Sequence, residues 1–374
     1  MTMTINNEHK KLNVPNLRFP EFQGEWEKKR LEECVEFLDG LRKPIKSEDR
    51  KSEQGLYPYY GASGIIDYID GYIFDGEYIL LSEDGANIID RNYRVAFIAK
   101  GKIWVNNHAH VLQPYDGFDI NFLSETLERL NYAVYNTGTT MPKLNQEVCR
   151  NINLKIPTTK EQNKIGNLLS LLNKRIATQN KIIEDLKKLK SAISKKLLCN
   201  DKWTTYKIQD IAEIGRGRVI SSVEIDRQKH PLYPVYSSQT SNNGIMGYLD
   251  NYMFDGEYIT WTTDGANAGT VFYRKGKFNC TNVCGTLKIL PKFDCYFVSL
   301  VLQQATQKYV SSNLANPKLM NNTMASIKIR MPNIETQKQL SKVFQTLDSC
   351  LLVHQRTCKM YLSEKQYLLR QMFI

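Results

Sequence analysis

The feature that most constrains the fold of this chain is an internal repeat. FDGEYILLSEDGAN at 74–87 returns as FDGEYITWTTDGAN at 254–267, with ten of the fourteen positions identical. Such self-similarity predicts two copies of one structural unit, because each copy must bury the same apolar pattern. A length of 374 residues is sufficient for two domains with cores of ordinary size.

The repeat extends over nearly the whole chain, at an offset that drifts between 175 and 180 residues as insertions fall in loops. Trp26 and Gly40 correspond to Trp203 and Gly217. The other paired segments are LYPYYGASG (56–64) with LYPVYSSQT (232–240), VNNHAHVL (105–112) with CTNVCGTL (280–287), MPKLNQ (141–146) with NPKLMN (316–321), and IPTTKEQNKI (156–165) with MPNIETQKQL (331–340).

Each half shows the same succession of patterns. A β-rich stretch with glycine turns comes first, and both Asp-Gly pairs of the cassette are expected where strands reverse. A short helix follows (roughly 119–136 and 294–312), then a polar Pro-Lys-Leu loop and an Ile-Pro or Met-Pro break. We predict an α+β fold with a flexible N-terminus (1–13), a first β-rich domain (14–157), a first long helix (158–200), a second β-rich domain (201–332) and a second long helix (333–374).

The segment after each proline break has a heptad pattern typical of a helix that buries an a/d seam against another helix. Each seam position of the first helix has a counterpart 175 residues later in the second, and the polar residues that interrupt the seam also correspond. The sets are Ile165, Leu169, Leu172, Ile176, Gln179, Ile183, Leu186, Lys190, Ile193 and Leu197, and Leu340, Phe344, Leu347, Leu351, His354, Cys358, Tyr361, Lys365, Leu368 and Met372.

We therefore expect the two helices to pair with each other as a coiled coil, and an antiparallel pairing would relate the two halves by a pseudo-two-fold axis. About 36 residues of helix would span roughly 54 Å and act as a rigid spacer. The alternative is that each helix packs only on its own domain. Four lysines recur every seven residues on the outer face of the first helix: Lys174, Lys181, Lys188 and Lys195. They form either a solvated helix face or a basic surface that binds phosphates or an acidic partner.

Charge and cysteine content narrow the class of protein. The net charge is +11, of which 158–200 carry +7 and 333–374 carry +3, so an anionic partner is expected. With no apolar run long enough for a membrane span and no signal peptide, a cytoplasmic location with reduced thiols is expected. Cys280 and Cys284, and His108 and His110, lack like residues at their counterparts, so we predict buried thiols and histidines on a strand rather than a metal site.

The doubled cassette also suggests an enzyme, because Asp75, Glu77, Glu83 and Asp84 could hold a divalent metal as in a nuclease. Glu83, however, becomes Thr263 in the second half. The chain contains no phosphate-binding GxxxxGK[ST] motif, no GxGxxG after a strand, and no Asn-Pro-Pro-aromatic tetrapeptide of adenine methyltransferases. Two domains without a chemical signature favour two recognition modules, with a nuclease or methylase and a purely structural adaptor as alternatives.

At these residues the chain resembles the specificity (S) subunit of type I restriction–modification enzymes. NVPNLRFPEFQGEWEKKRLEE near the start, the doubled FDGEYI…DGAN, the MPKLNQ loop and the IPTTKEQNKI helix entry carry the resemblance, which covers essentially the whole chain. It implies a non-catalytic subunit in which two antiparallel helices hold two target-recognition domains apart. Each domain would recognise one half of a bipartite DNA site with a fixed spacer. Two methyltransferase subunits would dock on it, and two motor-nuclease subunits would complete the restriction enzyme. S-adenosylmethionine, ATP and Mg²⁺ would belong to those partners, with no cofactor in this chain.

Loops rich in Asn, Ser, Thr and Lys suit base recognition, and arginine or lysine suits phosphate contact. Because these loops differ between the halves, we expect an asymmetric site with half-sites about one helical turn apart. The candidates for direct base contact are Ser82, Asn87, Thr139, Thr140 and Lys143 in the first half and Thr262, Thr263, Asn267, Asn316 and Lys318 in the second. The candidates for phosphate contact are Arg42, Lys43, Arg216 and Arg218.

Overall fold

The structure, a computed structural model, describes residues 13–50, 55–198, 200–311 and 316–374. Apart from Asn13, the N-terminus predicted to be flexible lies outside this part of the chain. The described residues divide into two compact units. Unit 1 comprises the residues up to Asn180 together with Arg356–Ile374, and unit 2 is Lys181–Gln355. None of the described helices has the length and hydropathy needed to cross a membrane.

Unit 1 is built on a six-stranded mixed sheet with the strand order β2-β7-β5-β6-β3-β4, and β1 pairs separately with β8. Three short helices pack with these sheets: α1 (Asn87–Asp90), α2 (Ile120–Glu128) and α3 (Gln146–Arg150). The strands are β1 (Glu27–Arg30), β2 (Val35–Phe37), β3 (Tyr57–Gly61), β4 (Gly64–Ile69), β5 (Phe74–Ser82), β6 (Ala96–Val105), β7 (Ala109–Pro114) and β8 (Asn153–Ile156).

Unit 2 repeats this arrangement as three smaller sheets, β10-β16-β13-β14, β12-β11-β15 and β17-β9. Its short helices are α5 (Ser222–Asp226), α6 (Cys295–Ala305) and α7 (Asn321–Ser326). The strands are β9 (Thr204–Lys207), β10 (Ala212–Arg216), β11 (Tyr233–Tyr236), β12 (Ile245–Leu249), β13 (Glu257–Thr262), β14 (Val271–Lys275), β15 (Asn279–Cys280), β16 (Cys284–Ile289) and β17 (Lys328–Met331).

The two sheet systems have the same topology, with one interruption. In unit 1 the continuous strand β6 pairs antiparallel with β5 and parallel with β3, which joins all six strands. In unit 2 its counterpart is divided into β14 and β15, so that β13 pairs with the first piece and β11 with the second. The predicted internal repeat is therefore present in the backbone pairing as well as in the sequence.

Individual hydrogen bonds repeat as well. Asp119 caps the N-terminus of α2 by accepting from the Phe122 backbone N–H at 2.7 Å, and Asp294 caps α6 by accepting from that of Phe297 at 2.8 Å. The capping residues then bind the long helices, because the Asp119 N–H donates to Gln162 Oε1 and the Asp294 N–H to Gln337 Oε1. Both units thus fix the start of a long helix in the same way.

The long helices are α4 (Thr159–Leu197) and α8 (Ile334–Gln371), and the division into units falls inside both. In unit 1, Asn180 contacts Cys358 and Arg175 lies over the ring of Tyr361. Residue numbers therefore increase along α4 in the direction in which they decrease along α8. This is antiparallel pairing, as predicted. In unit 2, Lys190 of α4 forms an ion pair with Asp348 of α8.

The predicted seam is confirmed at nearly every position. All ten predicted α8 positions and nine of the ten on α4 are buried or partly buried. The prediction was wrong for Leu197, which is exposed, because the next residue, Leu198, is the one that enters the core of unit 2. The four lysines of the outer face are all exposed.

The expected strand reversals in the cassette are confirmed only in part. Asp84-Gly85 follows the end of β5, but Asp75-Gly76 lies inside that strand, which continues without a turn. Gly76 pairs with Gly101 of β6, and both have positive φ angles. Two glycines facing each other allow a distortion of the strand pair that side chains would prevent, so an Asp-Gly pair here marks an irregular strand.

Candidate functional site

In unit 1 the end of the cassette and the Pro-Lys-Leu loop are joined by backbone hydrogen bonds. Asp84 forms an isolated antiparallel bridge with Lys143, and the Leu144 N–H donates to the Glu83 carbonyl at 2.7 Å. Unit 2 has the same junction, because Asp264 bridges to Lys318 and the Leu319 N–H donates to the Thr263 carbonyl at 2.9 Å. Two loops predicted as base-contacting are therefore one continuous structure in each unit.

An arginine near the end of the first sheet strand and the lysine of Pro-Lys-Leu both reach this junction; Arg42 lies five residues beyond β2, whereas Arg216 is the last residue of β10. In unit 1, Arg42 Nη1 lies 2.7 Å from Glu83 Oε2 and Lys143 Nζ lies 3.4 Å from Glu83 Oε1. In unit 2, Arg216 and Lys318 lie 3.4 and 3.5 Å from the carboxylate of Asp264. The acidic groups of the cassette thus hold cationic side chains in place.

His110 is a buried imidazolium beneath the junction of unit 1. Its Nδ1 lies 2.6 Å from Asp39 Oδ2 and its Nε2 lies 2.8 Å from the Leu144 carbonyl oxygen. Both partners are acceptors, so both ring nitrogens must carry protons. Burial opposes this charge, but bonds to Asp39 and Cys149 outweigh it and raise the pKa of His110 to about 10. Burial likewise opposes ionisation of Asp39, yet His110 and Arg42 lower the pKa of that carboxyl.

This pair makes the stability of unit 1 dependent on pH. The folded-state pKa of His110, about 10, lies above its ordinary value of 6.5, so protonation stabilises the fold fully below about pH 6.5. We expect this contribution to be lost as the pH rises toward 10, while the Asp39 contribution stays constant because its pKa is lowered. Urea denaturation from pH 6.5 to 9 should show a fall in the free energy of unfolding that His110→Gln reduces. His108→Gln is the control, since His108 is half-exposed, and an equal effect of both variants would contradict the assignment.

Unit 2 replaces this histidine by a different donor to the corresponding carbonyl group. His110 lies opposite Leu81 in the sheet of unit 1, whereas the corresponding pair in unit 2 is Gly285 opposite Trp261. The indole of Trp261 occupies the space above Gly285, where a Cβ atom would lie 2.2 Å from the ring. Its Nε1–H donates to the Leu319 carbonyl oxygen at 2.9 Å. The sheet therefore anchors the Pro-Lys-Leu loop in both units through unrelated side chains.

Trp261→Phe should lower the free energy of unfolding by about 1–3 kcal/mol, because it leaves a buried carbonyl group without this donor. Trp104→Phe is the matched control. The Trp104 Nε1–H makes the same type of bond, to the Lys43 carbonyl at 2.6 Å, but at an exposed position where water can replace it. Urea denaturation of the two variants compares the bonds directly, and equal costs would contradict the anchoring role of Trp261.

The carboxylates of the cassette do not converge on a metal site. Glu77 forms an ion pair with Lys100 at 2.8 Å, and Asp84 lies 2.9 Å from His108 Nδ1. Among the described residues, Asp39, Glu83 and His110 offer ligand atoms within 4.8 Å of one another. The cationic Arg42 and the doubly protonated His110 already neutralise these two carboxylates, so this donor set is unsuited to a cation.

Three of the predicted base-contact residues are buried, which is a correction to the sequence interpretation. Ser82, Thr262 and Thr263 expose at most 1% of their surface. The Ser82 hydroxyl donates to the Ala62 carbonyl at 2.6 Å, and the Arg216 guanidinium donates to Thr263 Oγ1 at 2.9 Å. These side chains position loops and present no surface to a ligand.

The other candidates for base and phosphate contact differ in their exposure to solvent. Thr139, Thr140 and Asn316 are exposed, as are Lys43 and Lys143. Asn87 and Asn267 are half-buried and hydrogen-bond to the backbone of Tyr93 and Ser238 respectively. Lys318 is partly buried.

The candidate arginines are held by carboxylates. Arg42 is largely buried between Glu83 and Asp39, which removes it as a phosphate-contact residue. Arg216 and Arg218 are more exposed, and Arg218 forms an ion pair with Glu224. Sequence reasoning missed Asp39, the partner that charges His110. The available signal was an acidic residue directly before Gly40, together with two histidines spaced two residues apart, His108 and His110, that could pair with it.

Comparison with known proteins places the chain in a family. The model of the type I restriction modification DNA specificity domain matches twice, over residues 23–188 and 200–359. A type I specificity subunit of Mycoplasma pneumoniae described as an N-terminal part is 46% identical over 147 residues, which cover 38% of this chain and 76% of that protein. Another from the same organism is 36% identical over 215 residues, covering 56% of this chain and 80% of that one.

The fold agrees with solved structures. The crystal structure of a type I restriction–modification S subunit from M. genitalium has a TM-score of 0.79 and covers 96% of this chain and 99% of that one, at 17% identity. The chain therefore belongs to the type I restriction modification DNA specificity domain family, with one domain in each half. The relatives favour a recognition subunit over a nuclease or methylase that acts through the duplicated cassette.

Proposed function

We propose that this chain recognises an asymmetric, bipartite double-stranded DNA site, with each unit contacting one half, and that it performs no chemistry itself. The observation that carries the proposal is the repeated junction of the cassette with the Pro-Lys-Leu loop. Its backbone is the same in both units, whereas exposed residues around it differ. A conserved scaffold with variable polar tips is suited to two different half-sites.

The assembly and its location are further parts of the proposal. The family implies a complex with other restriction–modification subunits, and the exposed faces of α4 and α8 are where we place two methyltransferase subunits. Two motor-nuclease subunits would complete the complex, and S-adenosylmethionine, ATP and Mg²⁺ would bind to those partners. We infer a cytoplasmic location because DNA is the target.

The direct test is binding of the purified chain to duplex DNA over a range of salt concentrations. Basic side chains that neutralise phosphates release counterions, so the affinity should fall steeply with salt. The same preparation should show no cleavage or methylation with Mg²⁺ and S-adenosylmethionine. Turnover by the chain alone would support the catalytic alternative, and salt-independent or absent binding would support a structural adaptor.

The length of the long helices should set the spacer between half-sites. Deleting one heptad from each helix, 180–186 and 355–361, preserves the a/d seam on both sides of the deletion. We expect selection from a randomised DNA library to return the same two half-site sequences with a changed spacer. A change in the half-site sequences themselves would contradict this role of the helices.

A further inference from the structure

Unit 2 contains a buried arginine that its fold does not require. Arg274 on β14 is 3% exposed, and no carboxylate of the described residues lies within ion-pair distance of it. Its Nε–H donates to Thr260 Oγ1 at 3.2 Å. Its guanidinium carbon lies 3.5 Å from the ring centre of Tyr236 and 4.4 Å from that of Phe272.

The same sheet is built without this charge in unit 1. Arg274 pairs with Tyr258 across the sheet, and the corresponding pair in unit 1 is Ala99 with Tyr78. Ala99 belongs to an apolar cluster there. Burying a guanidinium without a counter-charge is unfavourable, so its presence in one unit only indicates a role specific to that unit.

A loop that is longer in unit 2 than in unit 1 lies above Arg274. The strands β3 and β4 are joined by Ala62 and Ser63 alone, whereas β11 and β12 are joined by residues 237–244, SSQTSNNG. Asn242 (φ 48°, ψ 38°) and Asn243 (φ 55°, ψ 27°) have left-handed backbones, and Gly244 follows with φ 83°. Two successive left-handed residues form a tight turn of the kind that joins hairpin strands, and asparagine is the side-chain-bearing residue that suits it best.

Arg274 supports this turn. A Cβ atom added to Gly244 would lie 3.1 Å from Arg274 Nη2 and 3.3 Å from the Gln239 carbonyl oxygen, so the guanidinium packs directly under the loop. The Ser237 N–H donates to the Gly244 carbonyl at 2.9 Å and closes the base of the loop. Gly244 is buried, whereas Asn242 and Asn243 above it are exposed.

We propose that Asn242 and Asn243 are base-contacting residues of unit 2, each suited to an adenine edge, and that Arg274 is the residue that positions them. A side-chain amide carries a donor and an acceptor at the spacing of adenine N7 and N6 in the major groove. The turn places two such amides side by side at the exposed tip of a loop whose base is closed by the Ser237–Gly244 hydrogen bond and packs on Arg274. The proposal rests on DNA recognition by this chain and names residues for one half-site.

The decisive variant is the full chain with Asn242→Gly and Asn243→Gly. Glycine adopts the left-handed backbone without strain, so the loop keeps its shape while both amides are lost. Wild type and variant are each selected against a randomised duplex DNA library. We expect the variant to lose about tenfold preference at one or two adenine positions, all within one half-site. Asn251→Ala, an exposed asparagine beyond the other end of β12, should leave both half-sites unchanged.

Arg274→Met tests positioning. It should weaken the preference at the same adenine positions while the remaining positions of that half-site and the whole of the other half-site keep theirs, an outcome that a loss of stability of unit 2 would not produce. If wild type selects no sequence, the proposed function itself is wrong. If wild type selects a bipartite site and the double glycine variant selects the same one, or loses affinity equally at all sequences, only the assignment of Asn242 and Asn243 is overturned.

Discussion

Replacing Phe373 by alanine should lower the free energy of unfolding by about 3–5 kcal/mol, among the largest costs of a core truncation. Phe373 is only 5% exposed. Its ring stacks on Phe122 at a centroid distance of 5.2 Å and meets the edge of Trp26 at 6.2 Å. Trp26 lies near the start of the chain and Phe122 on α2, so residues beyond the end of α8 complete the core of unit 1.

Tyr367→Ala is the matched control for this variant. Tyr367 is also aromatic and lies on the final turns of α8, but 53% of its surface is exposed. We expect it to change the free energy of unfolding by less than about 1 kcal/mol. Urea denaturation of both variants separates the two cases, and a small effect of Phe373→Ala would mean that the core of unit 1 closes without this side chain.

Replacing Glu125 by glutamine should cost about 3–5 kcal/mol, because it leaves the largely buried ammonium group of Lys365 without its counter-charge. Glu125 on α2 is 3% exposed, and its Oε1 lies 2.9 Å from both Arg94 Nη1 and Lys365 Nζ. Asn173 donates to the same oxygen at 3.0 Å. Burial would raise the pKa of this carboxyl, but Arg94 and Lys365 outweigh it and lower the pKa, so Glu125 is ionised at neutral pH.

The repeat provides an internal control for this ion cluster. Lys190 occupies the seam position that corresponds to Lys365, but its carboxylate partner is Asp348, whose side chain is 40% exposed. Asp348→Asn should therefore cost only about 0–1 kcal/mol, since water can solvate what remains. In unit 1, adding Lys365→Met to Glu125→Gln should recover much of the loss. Similar costs for the two single variants would show that burial does not govern these pairs.

The two seam lysines also show how far the sequence could be interpreted. Their positions, and the burial of the seam around them, follow from a period of seven residues, which is a local property of each helix. Their partners do not follow. Glu125 lies on α2 and Asp348 on α8, so equivalent lysines are neutralised by carboxylates from different elements. The heptad pattern marks each lysine as a polar interruption of the seam, but it does not indicate which carboxylate neutralises that lysine.

The candidate site divides in the same manner. The cassette and the Pro-Lys-Leu loop were predicted as recognition loops in both halves, and the structure joins them in each unit. Ser82, Thr262 and Thr263 were misassigned because polarity alone does not distinguish an exposed hydroxyl from one bonded to a buried carbonyl group. Trp261 and His110 share no chemical class, and their common role is visible only from the Leu319 and Leu144 carbonyl groups that they bind.

The sequence by itself determined the duplication, the order of elements in each half and the seam positions of the long helices, because repeats and periodicities are local properties of the chain. Tertiary structure decided which distant residues close each core and which polar side chains remain in water. Phe373 reaches Trp26, and Arg274 supports a loop thirty or more positions earlier, through contacts whose sequence separation no local pattern encodes.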